Sequence, residues 1–350
     1  MSEELSLVPS APTPQSISAQ LARASAKVAG FLETGLQGAA NTERAYTSDL
    51  KSYTAFCAAH GYTAVPADET TLTEYVAYLA SEKPLAQERG RGEKQKGQQP
   101  LTGPHALATI RRHLAAIRKA HQLSGHALPA NLDGLNVVME GIARTLGKRQ
   151  EQALAFSVAE LKQVIRGLDL DTAAGLRDRA LLLLGFAGAF RRSELVDLNL
   201  EHLEFTPRAL LIHLPKSKTN QYGAAEDKAV FQVPNEDFCP VHALQAWLAL
   251  LGRTTGPVFV KIPRTVPGKV AQPSAKRLSA ISINKLVQKR LGPQYSAHSL
   301  RVSFITVSVL NGQSNKFIKN QTKQKTDAMI DRYTQLNDVV KHNAAQYLGL

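Results

Sequence analysis

The sequence predicts a mainly α-helical chain of two domains, and three observations predict it. The chain is 350 residues long, beyond the range in which a single hydrophobic core keeps growing. Apolar residues recur at spacings of three and four through much of that length, which is the helical period. One pair of short β-prone runs, Ala209 to Leu214 and Ala229 to Val233, brackets a polar turn region and reads as a β-hairpin in an otherwise helical half. The polar and basic stretch Gly147-Lys148-Arg149-Gln150-Glu151-Gln152 separates the halves as a linker. The expected boundaries are a disordered tail over 1–15, a helical domain over 16–146, a linker over 147–156, and a second domain over 157–350 that ends in the segment 334–350.

The first fifteen residues are rich in Ser and Pro and carry no hydrophobic periodicity. A helical pattern runs from Ile17 to Glu33. Asn41 or Thr42 then caps a clearer helix on which Tyr46, Leu50, Tyr53 and Phe56 make a core stripe. A third helix is expected from Thr71 to Ser81. Glu82 to Pro104 scatters Arg89, Arg91, Lys94 and Lys96 among Gly, Gln and Pro and reads as a mobile basic loop. The helix from His105 to Leu123 is more informative: Leu107, Ile110, Leu114 and Ile117 form one apolar stripe, and Arg111 and Arg118, like Arg112 and Lys119, repeat seven residues apart beside it. Such a helix can bury one face and lay another along a nucleic-acid backbone. Leu135 to Leu146 is a further helix before the linker.

In the second half Ser157 caps a helix that runs to Arg166, and a strongly apolar helix spans Leu176 to Ala189. Gly188-Ala189-Phe190 ends it, Arg191 follows, and a new helix can begin at Ser193. The hairpin turn carries Lys216 and Lys218. Pro240 opens the helix containing Ala243, Leu244, Trp247 and Leu248, with Trp247 in the core. His298-Ser299-Leu300-Arg301 sits at a helix start, where a histidine and an arginine three apart face one ligand and the helix dipole favours an anion. The helix continues through Phe304, Ile305, Val307 and Leu310. Tyr333 lies in Ala328-Met329-Ile330-Asp331-Arg332-Tyr333-Thr334, whereas Tyr295 and Tyr347 read as packing residues.

Composition limits the function without choosing it. Forty-two Lys plus Arg against 29 Asp plus Glu give a net charge of +13 and a pI near 9.7, which favours DNA, RNA or an anionic membrane surface as partner. No apolar stretch approaches the length of a membrane span, and no secretory leader pattern opens the chain, so a cytoplasmic protein is expected. Cys57 and Cys239 lie far apart, which gives neither a disulfide framework nor a paired metal-ligand motif. Cys239-Pro240-Val241-His242 offers two ligands without a partner pair, and His105, His113 and His121 fall eight apart, so no metal is assigned.

Arg191, Lys218, His298, Arg301 and Tyr333 together make a phosphoryl-transfer set. Two guanidiniums can bind the non-bridging oxygens of a phosphodiester, a histidine and a lysine can move protons, and a phenol can be the nucleophile. At this order and spacing the set, with Arg191-Arg192-Ser193-Glu194-Leu195 as its first box, resembles the tyrosine recombinase (phage integrase) family, nearest in layout to Cre-like and simple bacterial or phage recombinases. The resemblance implies a two-domain DNA clamp, with an all-helical core-binding domain and a helical catalytic domain carrying a small antiparallel β-sheet. It implies Tyr333 as nucleophile, Arg191 and Arg301 as charge stabilisers, His298 as proton acceptor or phosphate ligand, Lys218 as general acid with Lys216 its rival, and Glu194 in support. Arg111, Arg112, Arg118, Lys119 and Lys216 are the expected DNA contacts. Neither metal nor ATP enters, so no cofactor is expected.

The implied partners are double-stranded recombination sites, a homotetramer joined through 334–350, and accessory DNA-bending proteins, in a cytoplasmic protein associated with the nucleoid or encoded by a phage or mobile element. The alternative for 334–350 is that it folds back in cis. One residue departs from the pattern: nine positions before the tyrosine the family usually carries His or Trp, and here stands Gln324, which can hydrogen-bond a phosphate but not titrate near neutrality. Three functions share the set: site-specific recombination, a related nicking and rejoining reaction (type IB topoisomerase or telomere resolvase), and DNA binding on the same fold with impaired catalysis.

Overall fold

The stripe of Tyr53 and Phe56, with Leu50 beside it, lies on helix α1 (Ala40–His60) and is buried against α2 (Glu69–Ser81), α3 (Leu107–Ser124) and α4 (Asp133–Leu146). The computed structural model describes residues 40–81, 104–146, 152–214, 226–263 and 272–333, and the chain divides into two compact units, 1–150 and 151–350. Several expected features lie outside the described residues: the tail over 1–15, the helix from Ile17 to Glu33, the basic loop over 82–103, residues 147–151 of the linker, the hairpin turn over 215–225, and the segment 334–350.

In the first unit Asp68 accepts from the Thr71 amide (2.7 Å) at the start of α2, and Gly125 ends α3 in the left-handed region at φ 74°. Glu69 accepts from the amide of Leu135 (3.2 Å), so one carboxylate at the start of α2 also satisfies an orphan donor at the start of α4. Several buried polar groups here are paired with one another or with backbone. Asp49 receives both arms of the Arg112 fork (2.8 and 2.9 Å), the Tyr75 hydroxyl meets His113 Nδ1 (2.8 Å), and His121 Nε2 accepts from the Ala67 amide (2.9 Å). Burial pushes His113 down to about 4, so it is a neutral partner in that cluster.

The second unit is built on α6 (Ala173–Ala187), which is buried on nearly every side and packs against α8 (Pro240–Leu251). Before α6, a capping box at Ser157 and Glu160 starts α5 (Val158–Arg166). Trp247 on α8 is fully buried and donates its indole N–H to the Val258 carbonyl (2.8 Å). After α7 (Arg192–Asp197) comes an antiparallel sheet of three strands in the order β1 (Leu203–Phe205), β2 (Ala209–Leu214) and β3 (Glu226–Phe231). In its register Leu203 faces Ile212, Leu210 faces Val230 and Ile212 faces Lys228.

The last four helices among the described residues are α9 (Ala280–Leu291), α10 (Ala297–Leu310), α11 (Asn315–Thr322) and α12 (Asp327–Tyr333). Ile305, Ile318 and Ile330, one from each of α10, α11 and α12, form a separate small core with Phe304 and Tyr333 against it. Each of those three side chains is almost fully buried and contributes about 1.5–3 kcal/mol. That cluster fixes the helix of Tyr333 on the helix of His298.

Strand β1, α9 and α11 were not among the expected elements. Three residues of β1 are too few to display alternation. Strand β3 begins at Glu226 rather than Ala229, because the ladder extends to His213 and Leu214 whatever the polarity of the partner side chains.

Candidate active site

Helix α6 stops because Gly188 turns the chain and Ala189 follows at φ 48°, a left-handed conformation that costs a non-glycine residue about 1 kcal/mol or more. Phe190, fully buried, swings back under this turn. A Cβ on Gly188 would lie 2.2 Å from the Phe190 ring, so glycine is required there. The reversal delivers Arg191 just before the first residue of α7. Glu194, one turn on, accepts from both the Arg191 amide (2.9 Å) and its Nη1 (2.6 Å). Arg192, in the next position, is exposed.

Arg301 comes from the first turns of α10 and is 1% exposed. Its Nη1 donates to the Ala189 carbonyl (2.8 Å) and its Nη2 to the Thr322 carbonyl (2.5 Å). Arg191 Nη2 reaches the carbonyl of Lys323 (3.4 Å), itself left-handed at φ 56°. The two guanidiniums therefore converge on consecutive carbonyls at the end of α11, from two helices far apart in sequence. Burial, then the Arg191 charge, lowers the Arg301 guanidinium to about 10, and it keeps its proton at neutral pH.

His298 is half-buried on the same turn of α10. Burial pushes its pKa below the ordinary value, and the charges of Arg301, Arg191 and Arg192 push it further. It is thus a neutral imidazole near pH 7, able to accept a proton. Its ring stands edge-on to the Tyr333 ring, centroids 5.1 Å apart. Tyr333 closes α12, and its carbonyl accepts from Thr306 Oγ1 of α10 (3.2 Å). Arg191, Glu194, His298, Arg301 and Tyr333 are brought together.

Gln324 is also at this place, turned inward. It is 5% exposed, its Oε1 accepts from Thr322 Oγ1 (3.0 Å), and its Nε2 donates to the Met329 carbonyl within α12 (3.2 Å). In this arrangement the amide links Thr322 to the helix that carries Tyr333. Lys216 and Lys218 lie outside the described residues.

One buried side chain at this place was not singled out from the sequence. Lys228 on β3 is 1% exposed, with its ammonium 3.3 Å from Glu194 and hydrogen-bonded to the carbonyls of Gly188 (2.8 Å) and Ala189 (3.2 Å). The signal was present in the alternation of β3, where Lys228 and Val230 share the inward face. Burial raises the Glu194 carboxyl, but Lys228 and the amide and guanidinium of Arg191 outweigh it and hold Glu194 below its ordinary value.

On α3 Arg111 and Arg118 are exposed and Lys119 is half-buried, while the Arg112 fork is engaged by Asp49. Tyr295 is a packing residue as expected, its hydroxyl donating to Glu160 (3.0 Å). Among the described residues no group of three or more His, Cys, Asp or Glu side chains is placed to hold a metal ion.

Comparison with known proteins gives the same grouping. An integrase/recombinase XerD homolog from Selenomonas ruminantium is 31% identical over 313 residues, covering 87% of this chain and 84% of that protein. Recombinase Cre of Escherichia phage P1 is 25% identical over 241 residues, 67% of this chain and 62% of Cre. The structure of the XerH site-specific recombinase bound to a palindromic difH substrate overlays with a TM-score of 0.50 at 13% identity, covering 81% of this chain and 70% of XerH, a likeness of fold. The Phage integrase family profile matches residues 156–339, the span that holds the converging arginines, His298 and Tyr333, and the chain belongs to that family, the tyrosine recombinases.

Proposed function

We propose that this protein is a site-specific DNA recombinase that cuts and rejoins strands through a covalent bond between Tyr333 and DNA. One observation carries the reading: two guanidiniums and a neutral imidazole converge near a phenol, the imidazole and the phenol on helices that share a small core. In the proposed step the Tyr333 oxygen attacks a backbone phosphorus and its proton passes to His298. The bond to the 5′ oxygen breaks, leaving a 3′-phosphotyrosyl link and a 5′ hydroxyl. Arg191 and Arg301 stabilise the charge that develops on the non-bridging oxygens, the kind of preorganised electrostatic contribution that dominates phosphoryl transfer. Lys218, with Lys216 as the alternative, protonates the departing oxygen. Attack by the 5′ hydroxyl of a partner strand reverses the step, and two rounds pass through a Holliday junction. The phosphotyrosyl bond conserves the energy of the cut, so the scheme draws on no ATP.

The partners in this reading are double-stranded recombination sites and further copies of the chain assembled as a tetramer, with accessory DNA-bending proteins. Arg111, Arg118 and Lys119 on α3 would contact backbone phosphate. A cavity of about 1360 Å³ in the second unit supports docking through 334–350. Phe186, Phe238 and Phe304 line it, together with Phe231 and Phe317, which are 64% and 66% exposed. The spaced Val339, Val340, Tyr347 and Leu348 suit such a surface on a neighbouring copy. No helix among the described residues is long and apolar enough to cross a membrane. A cytoplasmic protein acting on nucleoid or mobile-element DNA fits the proposal.

A nicked suicide duplex tests it. A covalent protein–DNA adduct that forms in EDTA and is lost in Tyr333→Phe supports the reading. Loss of the adduct on chelation sinks the metal-free scheme, relaxation of any supercoiled plasmid without a defined site favours a topoisomerase, and no adduct at all leaves a DNA-binding protein.

A further inference from the structure

We propose that Lys228 is a positioning residue for the phosphodiester site: it shares the charge of Glu194 and tethers the Gly188–Ala189 turn, so that Arg191 is presented to DNA without being neutralised. The inference rests on the reading of Arg191, Arg301 and Tyr333 as that site. It starts from the connectivity around one buried carboxylate. Glu194 Oε1 receives Arg191 Nη1 at 2.6 Å, and Glu194 Oε2 faces the Lys228 ammonium at 3.3 Å. The same ammonium donates to the Ala189 carbonyl, which also receives Arg301. Lys228 is therefore bonded to the carboxylate that holds Arg191 and to a carbonyl that holds Arg301, yet its side chain is fully buried and cannot meet DNA directly.

The arrangement is costly. Burial, set against the attraction of Glu194, lowers Lys228 to about 7, so half or more of the molecules carry this charge only at or below neutrality. An apolar side chain at the same inward position of β3, beside Phe190, would pack without that opposition. A lysine earns its place here through the charge. With Lys228 charged, two cations divide one carboxylate, and the outer edge of Arg191 keeps its attraction for a phosphate oxygen. Without it, Glu194 and Arg191 form a closed pair.

The test uses the full-length protein and a nicked duplex carrying the sequence that the Tyr333→Phe protein selects from a randomised library. Binding and adduct formation are measured separately. Lys228→Met is expected to bind this duplex within threefold of the parent and to form adduct at least tenfold more slowly. Adding Glu194→Gln to Lys228→Met is expected to restore adduct formation at least threefold, because the uncompensated negative charge is removed. A merely structural lysine would give no such rescue. Adduct formation by Lys228→Met within twofold of the parent overturns the proposal, as does a double variant no faster than the single one. If Lys228→Met fails to fold, Lys228→Arg is read in its place. Retention of adduct formation within tenfold supports a role for the charge, and a larger loss, or failure of this variant to fold as well, overturns it. No adduct from the parent protein overturns the recombinase reading itself.

Discussion

Replacing Arg301 by methionine should separate folding from cleavage, and the structure gives the size of both effects. The guanidinium is 1% exposed and keeps its charge although burial, then the Arg191 charge, lowers its pKa from the ordinary arginine value to about 10. Holding that charge therefore costs about 3 kcal/mol in the folded state. Methionine removes the cost, but leaves the Ala189 and Thr322 carbonyls without the charge-assisted donors at 2.8 and 2.5 Å. Each such bond is worth about 1.5–3 kcal/mol. Lys228 still donates to Ala189, which reduces the loss on that side. The net destabilisation is about 0–3 kcal/mol, which for a unit of this size lowers Tm by less than about 10 °C. Cleavage loses a preorganised donor aimed at the reacting phosphate, and removing one such donor slows reactions by about 10²–10³-fold. Differential scanning calorimetry and adduct formation on a nicked duplex measure the two effects on one preparation. Cleavage within tenfold of the parent would refute the assigned role, and a Tm fall beyond about 20 °C would show Arg301 to be chiefly structural.

Three further outcomes are expected. Burial and the neighbouring arginine charges hold the folded His298 below 6.5, so it is neutral at pH 7 and is protonated only as the pH falls through that lowered value. The acid limb of the cleavage profile should lie below pH 6.5 and vanish in His298→Gln, while the stability this histidine contributes is fully present above 6.5 and is lost on acidification. Arg111→Ala or Arg118→Ala should leave Tm unchanged and lower the salt slope of DNA binding by about 1, whereas Arg112→Ala should cost about 1–3 kcal/mol in urea unfolding because Asp49, 3% exposed, loses a two-armed partner. Gly185→Ala should destabilise by about 1–3 kcal/mol and slow adduct formation, since the new Cβ would stand 2.8 Å from Leu300, between His298 and Arg301.

What was legible in the sequence was whatever repeats or punctuates locally. The stripe of α1, the cap of α5, the Gly188 end of α6, and Pro240 at the start of α8 are written in neighbouring residues, and those elements stand within a few residues of their expected ends. Arg191, His298, Arg301 and Tyr333 could be picked out only as a set, because each alone is an ordinary surface or packing residue. Lys228 was missed for the converse reason. Its importance lies in a contact with Glu194 thirty-four positions earlier, and a lysine at the head of a β-prone run reads as a solvated strand end. Arg112 shows the same limit on α3, where the seven-residue repeat gives its helical face but not the buried Asp49 sixty-three positions away.

Gln324 is the residue at which the local pattern and the assembled site pull apart, and the electrostatics of the site account for the difference. Arg191, Arg301 and Lys228 already gather near a single buried carboxylate, and burial first, then their mutual repulsion, lowers Arg301 and Lys228. A histidine at this position would bring another group able to take a positive charge beside Thr322, whose carbonyl is committed to Arg301. An amide adds no charge. It links Thr322 to Met329 through one acceptor and one donor, and so couples the end of α11, where both guanidiniums are anchored, to the helix that carries Tyr333. The two anchored cations and the nucleophile's helix are thereby linked through a neutral group. If proton movement depends on a titrating group at this position, Gln324→His should speed adduct formation on a nicked duplex, whereas a linking amide predicts that the histidine variant is slower and has a lower Tm, because the bonds to Thr322 and Met329 are lost.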